Sequence, residues 1–147
     1  MDIRTLLLVE DNPQDEKLTL RALDKIHVAN RVEVVRDGAE ALDYLFATGP
    51  YAHRAGKELP AVVLLDLMLP KLSGLEVLAR IRGDSRTRRL PVVILTSSDD
   101  EKDLVRSYYL GSNSYVRKPI DPGEFTRAVA QVGLYWLALN QPPPPSQ

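Results

Sequence analysis

Five polar residues stand where the chain otherwise reads as apolar runs or their ends. The stretch "VVLLDLMLP" (62–70) is apolar except for Asp66, where the pattern predicts another Val or Leu. An ionised carboxylate in apolar surroundings is costly unless a partner offsets it. Glu10 and Asp11 follow the run "TLLLV", Thr96 follows "PVVIL", and Lys118 comes just after "SYV". Three carboxylates gathered in one crevice repel unless one is protonated or a cation sits among them. The candidate ligands are hard oxygens, with no cysteine in the chain and no suitably placed histidine, which selects Mg²⁺ or Ca²⁺ over zinc or copper. Few protein ligands, with room for water and phosphate, suit Mg²⁺. Lys118 and Thr96 add a point charge and a hydroxyl donor for an anion. A metal, a lysine, a hydroxyl and a nucleophilic Asp66 are the parts phosphoryl transfer needs, because that chemistry rests on positioning and charge neutralisation.

The elements that must bring these residues together are legible in the periodicity. Five short apolar runs recur, at 5–9, 31–35, 61–65, 91–95 and 114–116. The first, third and fourth are continuous and rich in branched residues, as strands buried on both faces are. Between them lie segments with helical spacing. Leu18, Ala22, Leu23 and Ile26 form a stripe in 13–28, and Leu75, Leu78 and Ile81 form one in 73–82. Cap-type residues with an acid three positions on follow the strands: Asn12–Asp15, Asp37–Glu40, Ser73–Glu76, Ser98–Glu101 and Asp121–Glu124. The β-α alternation predicts an α/β doubly wound domain with a five-stranded parallel sheet and helices on both faces. In such sheets ligands bind outside the carboxyl ends of the strands, which is where the five polar residues fall.

The remaining composition narrows the function classes. The chain has 147 residues, enough for one domain with a real core, and a formal net charge of −1. That balance leaves no electrostatic footprint for nucleic acid or an anionic membrane. His27 and His53 are far apart and read as surface or loop residues. No apolar run approaches a signal peptide or a membrane span, so the expected location is the cytoplasm. Neither glycine fingerprint follows the first strand, which excludes a P-loop or dinucleotide enzyme. Residues 47–60 form a long connection that is functional, mobile or plain surface. A single domain is expected to span 1–140, with 141–147, "QPPPPSQ", as an extended or disordered tail.

The order and spacing of "LLLVEDN", "LLDLMLPKLSG", "VVILTSS" and "SYVRKPI" resemble the receiver domains of bacterial response regulators, over nearly the whole chain. The resemblance implies a flavodoxin-like fold with strand order 2-1-3-4-5. It implies Asp66 as phosphoacceptor, taking a phosphoryl group from a phosphohistidine or a small phosphodonor. Mg²⁺ would be bound by Asp11, Asp66 and the backbone carbonyl of Met68, with Glu10 acting mostly through a metal-bound water. Lys118 would pair with Asp66 and then with the phosphoryl group, and Thr96 would hydrogen-bond a phosphoryl oxygen. Lys118–Pro119 matches a pair whose bond is cis in the family. Tyr115 matches an aromatic switch position that turns inward when Thr96 moves. Met68 and Ser98 occupy positions that modulate dephosphorylation. The chain would not be an enzyme acting on a separate substrate but a phosphoacceptor catalysing its own phosphotransfer and dephosphorylation.

Within that family, the 47–60 loop, "GAEALDYLF" and the ending "YWLALNQPPPP" resemble the single-domain regulators paired with bacterial and cyanobacterial phytochromes. That implies a sensor histidine kinase of the phytochrome type as partner, while the charge balance leaves no nucleic-acid or membrane partner expected. A chain ending with its receiver is expected to signal by binding another protein or by passing the phosphoryl group on. In the last helix, 122–139, Phe125, Val129, Val132 and Trp136 can form a core stripe, leaving Leu134, Tyr135 and Leu137 outside it. With Tyr108 and Tyr109, these predict a homodimer through the fourth helix, fifth strand and fifth helix. Two alternatives stay open. One is a receiver-like binding module that works without phosphorylation. The other is an aspartyl-nucleophile phosphatase, which needs a second acid two residues after the nucleophile, where this chain has Met68.

Overall fold

A computed structural model describes residues 3–144. Its sheet has five parallel strands in the order β2-β1-β3-β4-β5. These are β1 (Arg4–Val9), β2 (Asn30–Val35), β3 (Val62–Leu65), β4 (Val92–Thr96) and β5 (Ser114–Arg117). The helices are α1 (Pro13–Lys25), α2 (Gly38–Phe46), α3 (Gly74–Arg82), α4 (Glu101–Tyr109) and α5 (Pro122–Leu134). The expected fold class and strand order are both present.

Alternation along the central strands divides the core in two. Leu6 and Leu8, Val62 and Leu64, and Val93 and Leu95 pack with Ala22, Leu23, Phe125 and Val129 on the α1/α5 face. Leu7 and Val9, Val63 and Leu65, and Val92 and Ile94 pack with Ala41, Leu45, Val77, Leu78 and Ile81 on the α2/α3 face. A strand covered on both sides has no polar positions, which is why these runs read as continuous. Each fully buried aliphatic side chain contributes about 1.5–3 kcal/mol of transfer free energy.

Four of the five expected caps are seen. The side chains of Asn12, Asp37, Ser73 and Asp121 accept backbone N–H bonds in the first turns of α1, α2, α3 and α5. The cap of α4 differs. Asp100, not Ser98, caps it by accepting from Lys102 N, while Ser98 Oγ donates to Asp103 Oδ2 at 2.6 Å. With consecutive acids at 99–101, a better acceptor stands two residues further on.

Two other segments take a defined form, and the second corrects the expected core stripe. The long connection before β3 is docked on α2. It forms a short 3-10 helix, Gly49–Arg54, whose Tyr51 hydroxyl donates to Glu40 Oε2 at 2.7 Å. The Arg54 guanidinium lies 3.7 Å from the centre of the Tyr44 ring. The C-terminal helix changes pitch. Tyr135–Leu139 form a π turn closed by Asn140 N donating to the Tyr135 carbonyl. The extra residue in that turn rotates the following positions, so Leu137 enters the core and Trp136 is only half-buried. Residues 141–144 are exposed coil, and the end of the expected tail lies outside the described residues. Among the described residues no helix is long and apolar enough to cross a membrane.

Candidate functional site

The parallel sheet delivers Glu10, Asp66, Thr96 and Lys118 to one edge because each closes or directly follows a strand. β1 ends at Val9, and the Glu10 N–H still bonds the Val35 carbonyl of β2. Asp66 follows β3, and its N–H bonds the Val9 carbonyl at 3.2 Å, so the two acids lie on adjacent strands. Lys118 follows β5, and its N–H bonds the Thr96 carbonyl at 2.7 Å. Backbone bonds of this kind fix the depth of each residue before any side chain acts.

The side chains then meet. Lys118 Nζ lies 2.7 Å from Glu10 Oε1 and 2.9 Å from Asp66 Oδ2. The other Asp66 oxygen accepts from Met68 N at 3.1 Å, so the turn itself orients the carboxylate. Glu10, Asp11 and Asp66 each offer a carboxylate oxygen within 4.8 Å of the others. Glu10 and Asp66 are buried and Asp11 is exposed, which leaves an open side to the cluster. Thr96 is fully buried at the end of β4, where its Oγ1 accepts from Ser98 N at 3.3 Å. It makes no hydrogen bond to Asp66.

Tyr115 lies beside the loop that follows Thr96. Its ring is half-buried against the α2/α3-side core, and its hydroxyl donates to the Ser98 carbonyl at 3.4 Å. It therefore already lies against the β4–α4 loop. Ser98 contacts Thr96 through its N–H and Tyr115 through its carbonyl, so one residue links the two expected switch positions. The Lys118–Pro119 bond is trans, as are all peptide bonds among the described residues. Trans is the ordinary preference for X–Pro.

Sequence reasoning missed two residues of the site. Asp15, which reads from sequence only as a partner of the Asn12 cap, places Oδ2 2.9 Å from Lys118 Nζ. Its position in the first turn of α1, four residues after Asp11, is the one available signal. Gly74 opens α3 directly beneath the turn that carries Asp66, and its N–H bonds the Leu67 carbonyl at 2.9 Å. It ends the run "LLDLMLPKLSG", but nothing local in "KLSG" shows what it packs against.

Three carboxylates thus contact one ammonium, with the exposed Asp11 beside them. Burial pushes the Glu10 carboxyl up from 4.5 to about 7; the hydrogen bond and charge of Lys118 pull it down, and the charge of Asp66 adds to the rise. Burial alone would lower the Lys118 ammonium, but its hydrogen bonds to Asp15 and Glu10 and the charge of Asp66 outweigh it and hold it above the usual lysine range. The donor set suits a hard divalent cation, which would neutralise what Lys118 leaves unbalanced.

The Glu10 shift has a measurable consequence. Its folded form binds a proton more tightly than its unfolded form, so its contribution to stability falls as pH rises from 4.5 to about 7. With chelator present, Glu10→Gln should unfold at a higher temperature than wild type at pH 8. The difference should shrink towards pH 4.5, over a range of roughly 3–4 kcal/mol. A wild-type-minus-variant difference that is flat with pH would assign the shift elsewhere.

The comparisons with known proteins agree with this geometry. Residues 6–130 match the family model described as the response regulator receiver domain. The probable methanogenesis regulatory protein FilR2 of Methanothrix harundinacea is 43% identical, over 96% of this chain and 88% of its own. Response regulator Rcp1 of Synechocystis is 35% identical over 91% of this chain and 89% of its own. A crystal structure of the Mn²⁺-bound form of Rcp1 superimposes with a TM-score of 0.89, covering 95% of this chain and 99% of that one. The phosphorylated cyanobacterial phytochrome response regulator RcpA superimposes with a TM-score of 0.90 at 39% identity, covering 97% of this chain and 99% of that one. The sheet order, the acids at the strand ends and these matches place this chain in the response regulator receiver domain family.

Proposed function

We propose that this chain is a phosphoacceptor of a two-component system, taking a phosphoryl group from a histidine kinase onto Asp66. The observation that carries the reading is the Asp66 carboxylate at the end of β3. It is held by Lys118 at 2.9 Å and by Met68 N, beside two further acids. In the transfer a carboxylate oxygen of Asp66 bonds phosphorus as the bond to the donor's leaving group breaks. Glu10, Asp11, Asp66 and the Met68 carbonyl would hold Mg²⁺, which when bound offsets the charge of the acids and of the phosphoryl oxygens. The Mn²⁺-bound form of Rcp1 supports a divalent ion here. Lys118 and Thr96 supply an ammonium and a hydroxyl to the transferred group.

Thr96 moving towards a phosphoryl oxygen would pull on Ser98, and through its carbonyl on Tyr115. The α4 face would then change by a population shift between two arrangements. The chain acts on no separate substrate in this reading, and its location is the cytoplasm. Incubation with acetyl phosphate and Mg²⁺ should add one phosphoryl group by intact mass. No adduct would leave a phosphorylation-independent binding module, and turnover of p-nitrophenyl phosphate would favour a phosphatase. The kinase is of the phytochrome type in this reading, supported by the likeness to RcpA. Transfer from a phytochrome kinase should outpace transfer from unrelated kinases.

The output surface is the α4–β5–α5 face. Val105, Tyr108 and Tyr109 on α4 and Leu134, Tyr135 and Leu139 at the C-terminal helix are exposed, Tyr109 by 85%. Apolar exposure on this scale marks an interaction surface, here a homodimer. Light scattering at micromolar concentration should return twice the chain mass. Tyr109→Glu should return the monomer while leaving phosphorylation by acetyl phosphate unchanged. A monomeric wild type, with and without phosphodonor, would remove the dimer from this account.

A further inference from the structure

Asp15 is the member of the cluster that the phosphoacceptor reading leaves without a task. It sits in the first turn of α1, and its Oδ2 accepts from Lys118 Nζ at 2.9 Å. An ammonium has three N–H donors. Those of Lys118 are taken by Glu10, Asp15 and Asp66, so none is free for an incoming anion. The three acceptors differ in what release would cost. The side chains of Glu10 and Asp66 are 1% and 6% exposed, and an acceptor stripped of its donor there stays without water. Asp15 keeps 24% of its side-chain surface, so water can replace the ammonium. The start of α1 also favours a negative charge there after release.

We propose that Asp15 restrains Lys118: it occupies one ammonium donor until a phosphoryl oxygen takes its place, and so slows phosphorylation of Asp66. It is a positioning residue, acting through Lys118 and not on the reacting atoms. The inference rests on the phosphoacceptor reading above. Two effects work in one direction. Replacing the carboxylate by an amide weakens its hold on the Lys118 donor, because a hydrogen bond to a charged acceptor is about twice as strong as one to a neutral acceptor, and it removes a negative charge that an anionic phosphodonor must approach. Covalent change is confined to Asp66, where the new bond to phosphorus replaces the one broken to acetate. At Asp15 only a hydrogen bond changes.

The test is the initial rate of phosphorylation of the full chain by acetyl phosphate at saturating Mg²⁺, read by intact mass. Asp15→Asn should raise it roughly threefold or more. Asp15→Glu, which keeps the charge and extends the side chain by one methylene, should stay near wild type. A purely structural role predicts the opposite for Asn, since losing a charge at a helix start lowers stability and with it the rate. A double-mutant cycle of Asp15→Asn with Lys118→Ala, by denaturant unfolding with chelator present, should show coupling between the two sites. An unchanged or slower Asn variant overturns the restraint, and zero coupling overturns its route through Lys118. A wild-type chain that takes no phosphoryl group overturns the phosphoacceptor reading itself. A phosphorylated wild type with an indifferent Asp15→Asn overturns only the restraint.

Discussion

Asp66→Asn should reduce phosphorylation by acetyl phosphate to background, a loss of roughly a thousandfold or more. The substitution keeps the shape and the hydrogen bond from Met68 N, so the β3–α3 turn should stand. What is lost is the carboxylate proposed to attack phosphorus. A neutral amide is a poor nucleophile and forms no acyl phosphate. The structure makes this a clean variant in another respect. Asp66 is one of three carboxylates on Lys118, so the ammonium keeps Glu10 and Asp15 as partners when it goes. Thermal unfolding should therefore change little while the adduct disappears. An adduct that survives on Asp66→Asn would put the acceptor on another residue.

Gly74→Ala should be as damaging by a different route. A Cβ on Gly74 would overlap the Asp66 carbonyl oxygen and stand 2.6 Å from Leu67 Cα. Both are backbone atoms, so no rotamer change can make room. Either α3 must back away from the sheet or the turn carrying Asp66 must shift. The cost should be about 2–3 kcal/mol, which lowers the unfolding temperature by roughly 5–10 °C for a domain of this size. Phosphorylation should slow as well, because the displaced turn carries Asp66, the proposed nucleophile. Gly56→Ala is the control. Gly56 has φ +80° but nothing within 4 Å of an added Cβ, so it should cost only about 1 kcal/mol of backbone strain and leave the site alone. Equal effects at the two positions would remove the close-packing argument.

Most of the sheet and of its reactive edge is legible in local patterns of residue type. Continuous apolar runs at β1, β3 and β4 specify a two-sided parallel sheet, because only strands covered on both faces lack polar positions. Strand ends are local features too, so the polar residues that close them identify Glu10, Asp66, Thr96 and Lys118 as neighbours at one edge. Helix starts are legible where a single acceptor stands at the cap. Among the acids of 98–103 several acceptors compete, and the cap falls on Asp100.

Other features depend on contacts between segments distant in sequence, which no local pattern contains. The bond from Lys118 to Asp15 spans 103 residues, and it exists because α1 and β5 open onto the same edge of the sheet. The need for glycine at 74 comes from the backbone of Asp66 and Leu67 passing beneath it. The inward place of Leu137 follows from a π turn, which shifts the helical phase by one residue and so defeats a stripe drawn at constant pitch. The sequence by itself determined which side chains stand at the strand ends, hard-oxygen acids, a hydroxyl and an ammonium, and so the chemistry proposed for them. Tertiary structure alone decided how the charges balance, because burial and through-space distance set the partners of Lys118.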